Sequence, residues 1–193
     1  PILLSSSIIA FVKLRTNMRS AEKLLIEPRS EIPNIHHAAE VGDIDFLKSV
    51  IASTDKPSAN LNINTVDSKG NTLLIAACKG NQLEVAVWLI NSGADVTATN
   101  NDGLNAVHFL AENDGGNLLH DCLKASPGLL NVQTVNEEGY TPLHIACLNK
   151  SDDAARKLLE LGADATITDN DGWNAVQCAA YKNCVRILDD LFN

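Results

Sequence analysis

The 193-residue sequence contains few aromatic side chains, which make up only 4% of it although 45% of its residues are hydrophobic. A core built mainly from Leu, Ile, Val and Ala favours closely packed helices, because small and straight-chain side chains lose little freedom on entering a helix. A long apolar run is also missing, since the stretch from Ile2 to Val12 is short and broken by three serines. We therefore predict an all-α protein without a membrane span.

Paired cysteine motifs are absent as well. The five cysteines are an odd number and show no CxxC spacing, so the sequence predicts neither a disulfide framework nor a zinc site. We also find no phosphate-binding glycine loop, nucleophile elbow or paired-carboxylate motif. The expectation is a non-enzymatic protein without cofactor or metal, located in the cytoplasm, with the nucleus as the alternative.

Basic charge is scarce outside the first thirty residues. Residues 1–30 carry five basic and two acidic side chains, a net charge of +3, whereas residues 31–193 carry ten basic and 22 acidic side chains, a net charge of −12. An acidic body repels the phosphate backbone of nucleic acids. We therefore expect no nucleic-acid binding and, instead, a protein partner with a basic surface.

The sequence does contain an internal repeat. Four glycines each stand three residues after an Asp or Asn, and successive glycines are 33, 36 and 33 residues apart. The phrases that they open are GNTLLIAAC from Gly70, GLNAVHFLA from Gly103, GYTPLHIAC from Gly139 and GWNAVQCAA from Gly172. A further copy, EIPNIHHAA, begins at Glu31, so five stacked units are predicted.

Each phrase is interpreted as a tight turn that leads into a helix. Glycine tolerates the positive φ of the turn, and a residue able to cap a helix follows two positions later. These capping candidates are Thr72, Asn105, Thr141 and Asn174. A second helix is predicted in segments such as QLEVAVWLINSGAD, with Gly93 as its C-terminal stop, and Gly162 is placed in the same way.

These residues resemble the ankyrin repeat family, whose pattern runs roughly Asp-x-x-Gly-x-Thr-Pro-Leu-His-x-Ala-Ala and later Leu-Leu-x-x-Gly-Ala-Asp. The segment from Gly139 to Asp164 follows this pattern almost throughout. The resemblance implies an all-α ankyrin-repeat solenoid with short hairpin fingers over residues 31–193. Its repeats are expected at about 31–66, 67–99, 100–135, 136–168 and 169–193. Two departures, ASTDKPSANLN in the first repeat and SPGLLN in the third, predict altered loops within the same fold.

His36, His108 and His144 occupy equivalent positions in three repeats, where Ile75 and Gln177 stand in the other two. A catalytic residue occurs once, whereas a structural residue recurs with its unit, so we expect these histidines to be structural. The resemblance implies a role in the hydrogen bonding near the helix start. Cysteines at the small-residue position of two repeats are likewise expected to act as small hydrophobes.

The resemblance also implies a partner-binding surface. Ankyrin proteins usually meet partners through the hairpin tips and the exposed residues of each first helix, which line a concave face. On this chain that face is acidic and holds both tyrosines and one of two tryptophans, residue types that often anchor interfaces. The predicted contact residues are Lys69, Asn71, Asp102, Leu104, Glu112, Glu137, Glu138, Tyr140, Leu148, Asp171, Trp173 and Tyr181. Trp173 has a second interpretation, in which it covers the neighbouring hairpin.

The predicted function is a monomeric, non-catalytic protein–protein interaction module or scaffold. One alternative is the regulatory ankyrin segment of a larger enzyme, channel or transferase. Another is attachment to a membrane surface through the basic and apolar N-terminal extension, residues 1–30, in which Ser20 to Ile26 is expected to form a capping helix.

Overall fold

The chain folds into ten helices in five consecutive pairs within residues 35–51, 62–125 and 135–192, the part that the computed structural model describes. The first helices of the pairs are α1 (Ile35–Val41), α3 (Leu73–Lys79), α5 (Ala106–Glu112), α7 (Pro142–Asn149) and α9 (Ala175–Tyr181). The second helices are α2 (Ile44–Ile51), α4 (Leu83–Asn91), α6 (Gly116–Ala125), α8 (Asp152–Glu160) and α10 (Val185–Phe192). β-Bridge pairing in these residues is limited to two isolated bridges, Val66–Thr72 and Thr168–Asn174. The prediction of an all-α repeat fold is confirmed.

The first helices α3, α5, α7 and α9 begin at the predicted capping residues. The Thr72 hydroxyl accepts a hydrogen bond from the Ile75 backbone N–H at 3.2 Å. The other three caps, Asn105, Thr141 and Asn174, form reciprocal capping boxes with the side chain three residues later. These bonds satisfy N–H groups that have no partner inside the helix.

The turn between the two helices of a pair contains a residue with positive φ in all five repeats. Gly42 fills this position in the first repeat, and non-glycine residues fill it in the others. Their φ angles are 54° at Asn81, 53° at Asp114, 62° at Lys150 and 57° at Asn183. This turn was not predicted, although Asn and Asp adopt the left-handed conformation more readily than most residues and fill the position in three repeats. The predicted stops at Gly93 and Gly162 are confirmed, with φ of 90° and 84°.

The helices stack in two rows. The first helices pack consecutively from α1 to α9, and the second helices pack consecutively from α4 to α10. Small side chains such as Ala77, Cys78, Ala146 and Cys147 are fully buried between neighbouring first helices. The core therefore runs through the stack, and each pair completes the burial of the next.

Several predictions lie outside the described residues. They concern the extension 1–30 with its capping helix, most of the insertion in the first repeat and the SPGLLN segment in the third. Among the helices that the structure describes, none combines the length and the apolar character that crossing a bilayer requires.

Candidate functional site

The hairpin turn that opens each of the last four repeats is built by an Asp or Asn side chain. In the last repeat, the Asp169 carboxylate accepts hydrogen bonds from the backbone N–H groups of Asp171 at 3.0 Å and Trp173 at 2.8 Å. The Gly172 N–H donates to the Asp169 carbonyl at 3.0 Å, and the φ of Gly172 is 82°. Asp67, Asn100 and Asn136 accept in the same way from the residue after the glycine. The recurrent Asp or Asn three residues before glycine is therefore explained by turn structure.

The four hairpin tips are also hydrogen-bonded to one another in a row. At each junction a backbone N–H of one tip donates to a carbonyl of the preceding tip. These bonds join Asn101 to Lys69 at 3.0 Å, Glu137 to Asp102 at 3.3 Å and Asn170 to Glu138 at 3.0 Å. The Asn170 side chain adds a bond to the Glu137 carbonyl at 2.8 Å. Because the backbones of the tips are held together, the charges that they carry keep a defined spacing.

Most of the predicted contact residues reach solvent on this row of tips and the adjoining first helices. The exposed ones are Lys69, Asp102, Glu112, Glu137, Glu138, Asp171, Trp173 and Tyr181. Leu104, Tyr140 and Leu148 are half-buried. Both leucines pack against the core, so they contribute to stacking as well as to the surface.

Asn71 is the exception among the predicted contacts, because only 7% of it is exposed. Its side-chain amide donates to the Asp67 carboxylate at 2.9 Å, and its amide oxygen accepts from the Asn100 side chain at 3.0 Å. Asn71 thus joins two neighbouring hairpins. Its side chain supports the row of tips, and its contact with a partner stays a prediction.

The aromatic residues of this surface form two pairs. The Tyr140 ring lies 6.0 Å from the His144 ring, at an angle of 41°. Partial burial, followed by the negative charges of Asp169 and Asp171, raises the pKa of the Tyr140 phenol above its ordinary value. Trp173 meets Tyr181 edge-to-face, with centroids 5.7 Å apart and ring planes at 85°. Trp173 therefore has an aromatic partner in its own repeat.

The repeated histidines hold the helix starts and also connect neighbouring repeats. His144 is fully buried; its Nδ1 accepts from the Thr141 backbone N–H at 3.2 Å, and its Nε2 donates to the Trp173 carbonyl at 3.0 Å. His108 makes the same two contacts with Asn105 and with the Tyr140 carbonyl. The predicted role in the hydrogen bonding at the helix start is confirmed for His108 and His144, whereas His36 bonds through its Nε2 to the Thr65 carbonyl at 3.1 Å. The sequence did not predict that they also anchor the backbone of the next hairpin.

All five cysteines are buried free thiols. Burial raises the pKa of the Cys122 and Cys147 thiols to about 12, so both remain protonated and poorly nucleophilic. Within the ranges 35–51, 62–125 and 135–192, no group of three or more His, Cys, Asp or Glu side chains is arranged to hold a metal ion.

A groove of about 730 Å³ lies on the second-helix side of the stack and was not predicted from the sequence. Its apolar lining comes from Ile44 in α2 and from Leu83, Val87 and Trp88 in α4. Leu83 is 42% exposed, so part of this apolar lining faces solvent.

Comparison with known proteins identifies the repeat family. A family model described as "Ankyrin repeats (many copies)" matches residues 57–110 and 128–179. The human transient receptor potential cation channel subfamily A member 1 is 25% identical over 157 residues, which cover 80% of this chain and 14% of the channel. The human ankyrin and armadillo repeat-containing protein is 28% identical over 157 residues, 79% of this chain and 10% of that protein.

A third relative, mouse ankyrin repeat and SOCS box protein 16, is 34% identical over 120 residues, 58% of this chain and 26% of its own length. The chain thus spans about a quarter or less of each of these relatives. The matched residues include the four described hairpin turns, the capped helix starts that follow them, and the second helices α4 and α8. By sequence and by structure, the chain belongs to the ankyrin repeat family.

Proposed function

We propose that this chain is a non-catalytic module that docks a basic protein surface onto its row of hairpin tips and the concave face beside them. Ankyrin repeats are protein–protein interaction modules, and the finer assignment depends on one observation. The tip-to-tip hydrogen bonds join the backbones of Asp102, Glu137 and Glu138 and that of Asn170, the neighbour of Asp171, and all four acidic side chains are exposed. A basic partner is the electrostatic complement of such a row.

The acidic and aromatic residues are proposed to act on different steps of binding. Exposed carboxylates act over several ångströms through solvent, so they accelerate encounter with a basic partner and make it salt-dependent. Trp173 is 44% exposed and Tyr140 is half-buried, so burying them in an interface removes apolar area from water. The rings should therefore control how slowly the partner leaves.

The first experiment identifies partners and locates the surface. The full chain is used as bait in affinity capture with quantitative mass spectrometry, beside a Glu137→Lys, Glu138→Lys variant. The matched control is Asp45→Lys, Glu84→Lys, which makes the same charge change at exposed positions of α2 and α4. Proteins that bind through the tips are expected to disappear with the tip variant and to remain with the control. Equal loss with both variants would indicate a general charge effect and contradict the proposal.

The second experiment measures kinetics with a partner found in this way, by surface plasmon resonance at two salt concentrations. The tip variant should mainly lower the association rate and its salt dependence. Tyr140→Ala and Trp173→Ala should mainly raise the dissociation rate, at a cost of roughly 2 kcal/mol in binding free energy. Circular dichroism checks that each variant is folded. Unchanged kinetics in all folded variants would place the interface elsewhere.

A second candidate is that the chain acts as the interaction segment of a larger protein. The supporting observation is that it spans about 10% to 26% of the relatives compared above, one of which is a cation channel. For both candidate functions we propose that the chain is located in a reducing compartment, the cytoplasm or the nucleus, because all five thiols are buried and free. Sequencing of full-length transcripts tests the second candidate: a reading frame that encodes a further domain before residue 1 or after residue 193 supports it, and a frame that adds only a few residues at each end contradicts it.

A further inference from the structure

The last hairpin and its first helix expose an aromatic pair that the stacking of the repeats does not use. Trp173 is 44% exposed and Tyr181 is 71% exposed, the largest exposed fraction among the large hydrophobic residues described. Neither ring is part of the core or packed against it as a partly buried hydrophobic. Adjacent exposed rings form an apolar patch of the kind that can mark an interaction site.

The geometry of the pair leaves ring faces open. Because the planes are at 85°, one ring points its edge at the face of the other. The ring that points its edge at its partner has both of its own faces clear of that partner. The other ring has one face in contact and one face clear. The Lys182 ammonium lies 5.7 Å from the centroid of the Tyr181 ring, within the range of a cation–π contact. A cation therefore fits at this distance from the Tyr181 ring.

The electrostatic surroundings favour positive charge beside Trp173. His144 contacts the Tyr140 ring on one side and the Trp173 carbonyl on the other, so Tyr140 lies next to the Trp173 hairpin. Burial is the largest cause of the raised pKa of Tyr140, and the negative charges of Asp169, Asp171 and Glu138 raise it further. The Asp169 carboxylate is held by the turn, whereas Asp171 is exposed and available to a ligand.

We propose that Trp173, Tyr181 and Asp171 form a subsite for one arginine side chain of the basic partner, with the guanidinium stacked on the indole and paired with the carboxylate. This proposal rests on the proposed function and specifies one residue type that the partner must present. A guanidinium is planar, weakly hydrated and able to stack and donate hydrogen bonds at the same time. A lysine ammonium brings the same charge but is compact and strongly hydrated, so it gains less from this surface.

The test uses the full chain and flexible Gly-Ser peptides of equal length that carry arginine, lysine or citrulline at the same positions. Citrulline keeps the planar shape of arginine and lacks its charge. Binding is followed by fluorescence anisotropy of the labelled peptide and by the two tryptophan indole N–H signals in ¹H–¹⁵N spectra. Trp88 in α4 lies on the groove side and serves as an internal control. The Trp173→Leu variant assigns the two signals.

The arginine peptide is expected to shift the Trp173 signal, leave the Trp88 signal in place and bind about fivefold more tightly than the lysine peptide. Trp173→Leu and Tyr181→Leu should each weaken arginine binding by about fivefold and lysine binding by less than twofold. Lys182→Gln should not weaken binding, because it removes a competing cation. Tyr181 is highly exposed, so its variant should fold even if Trp173→Leu is destabilised.

Equal binding of the arginine and lysine peptides with an unmoved Trp173 signal would overturn the arginine subsite. If both charged peptides bind the wild type equally but do not bind the Glu137→Lys, Glu138→Lys variant, the proposed function survives without the subsite. Failure of both charged peptides to bind would contradict the subsite and the basic partner together. Equal binding of citrulline and arginine would show that charge plays no part and would also overturn the subsite.

Discussion

Replacing His144 with alanine tests whether the repeated histidine holds the stack through two defined hydrogen bonds. The imidazole accepts from the Thr141 N–H and donates to the Trp173 carbonyl, and it is fully buried. Truncation leaves the Thr141 N–H without this acceptor in a residue that is only 1% exposed. The Trp173 carbonyl keeps one hydrogen bond after truncation, because it still accepts from the Asp169 N–H at 2.8 Å.

The magnitude follows from these two unequal losses. An unsatisfied buried donor costs about 1–3 kcal/mol, and a lost hydrogen bond whose acceptor keeps another partner costs about 1 kcal/mol. The void left by the ring adds to both. We expect His144→Ala to lower the free energy of unfolding by about 3 kcal/mol in urea denaturation followed by far-ultraviolet circular dichroism.

The chain supplies its own control for this experiment. In the last repeat Gln177 stands at the same position, and its side-chain oxygen accepts from the Asn174 N–H at 2.9 Å. His144→Gln can therefore retain the bond at the helix start, and we expect it to cost about 1 kcal/mol. If glutamine costs as much as alanine, or if alanine costs less than about 0.5 kcal/mol, the hydrogen bonds are not what makes this position important.

Two further predictions concern close packing and pH. A Cβ at Gly80 would lie 2.7 Å from the backbone carbonyl carbon of Glu40, so Gly80→Ala should lower the free energy of unfolding by about 3 kcal/mol in the same assay. A Cβ at Gly93 would have no neighbour within 4 Å, so Gly93→Ala should cost only about 1 kcal/mol, for its positive φ. Equal losses in the two variants would contradict the steric explanation. Partial burial alone raises the pKa of Asp67, but hydrogen bonds from Asn71 and from the Lys69 backbone outweigh it and hold the pKa below the ordinary 3.8. A depressed folded-state pKa contributes stability above the unfolded value that is lost as the pH falls through the folded one. The wild type should therefore lose more stability below about pH 4 than Asp67→Asn, and parallel pH curves would contradict this.

The local sequence was sufficient for the hairpin turns and for the starts of the first helices in the last four repeats. Thr141 followed by Pro142 specifies a helix start, and glycine three residues after Asp169 specifies a hairpin turn, because each signal acts over a few residues. Repetition then implied stacking, since one pair of helices cannot bury its apolar face alone. The helix starts and the hairpin turns depend on contacts between near neighbours in sequence, and both were predicted correctly.

Exposure and pairing across repeats were decided by the tertiary structure. Asn71 and Trp173 hold the same position after their turn glycines, yet Asn71 is buried between two hairpins and Trp173 faces solvent beside Tyr181. The difference comes from the neighbouring hairpin: Asn100 follows Asn71 in the stack and bonds to it, whereas the Trp173 ring lies against a residue of its own repeat. A local pattern specifies φ and ψ angles, but the burial of a side chain depends on which residue, 29 or more positions away in sequence, packs against it.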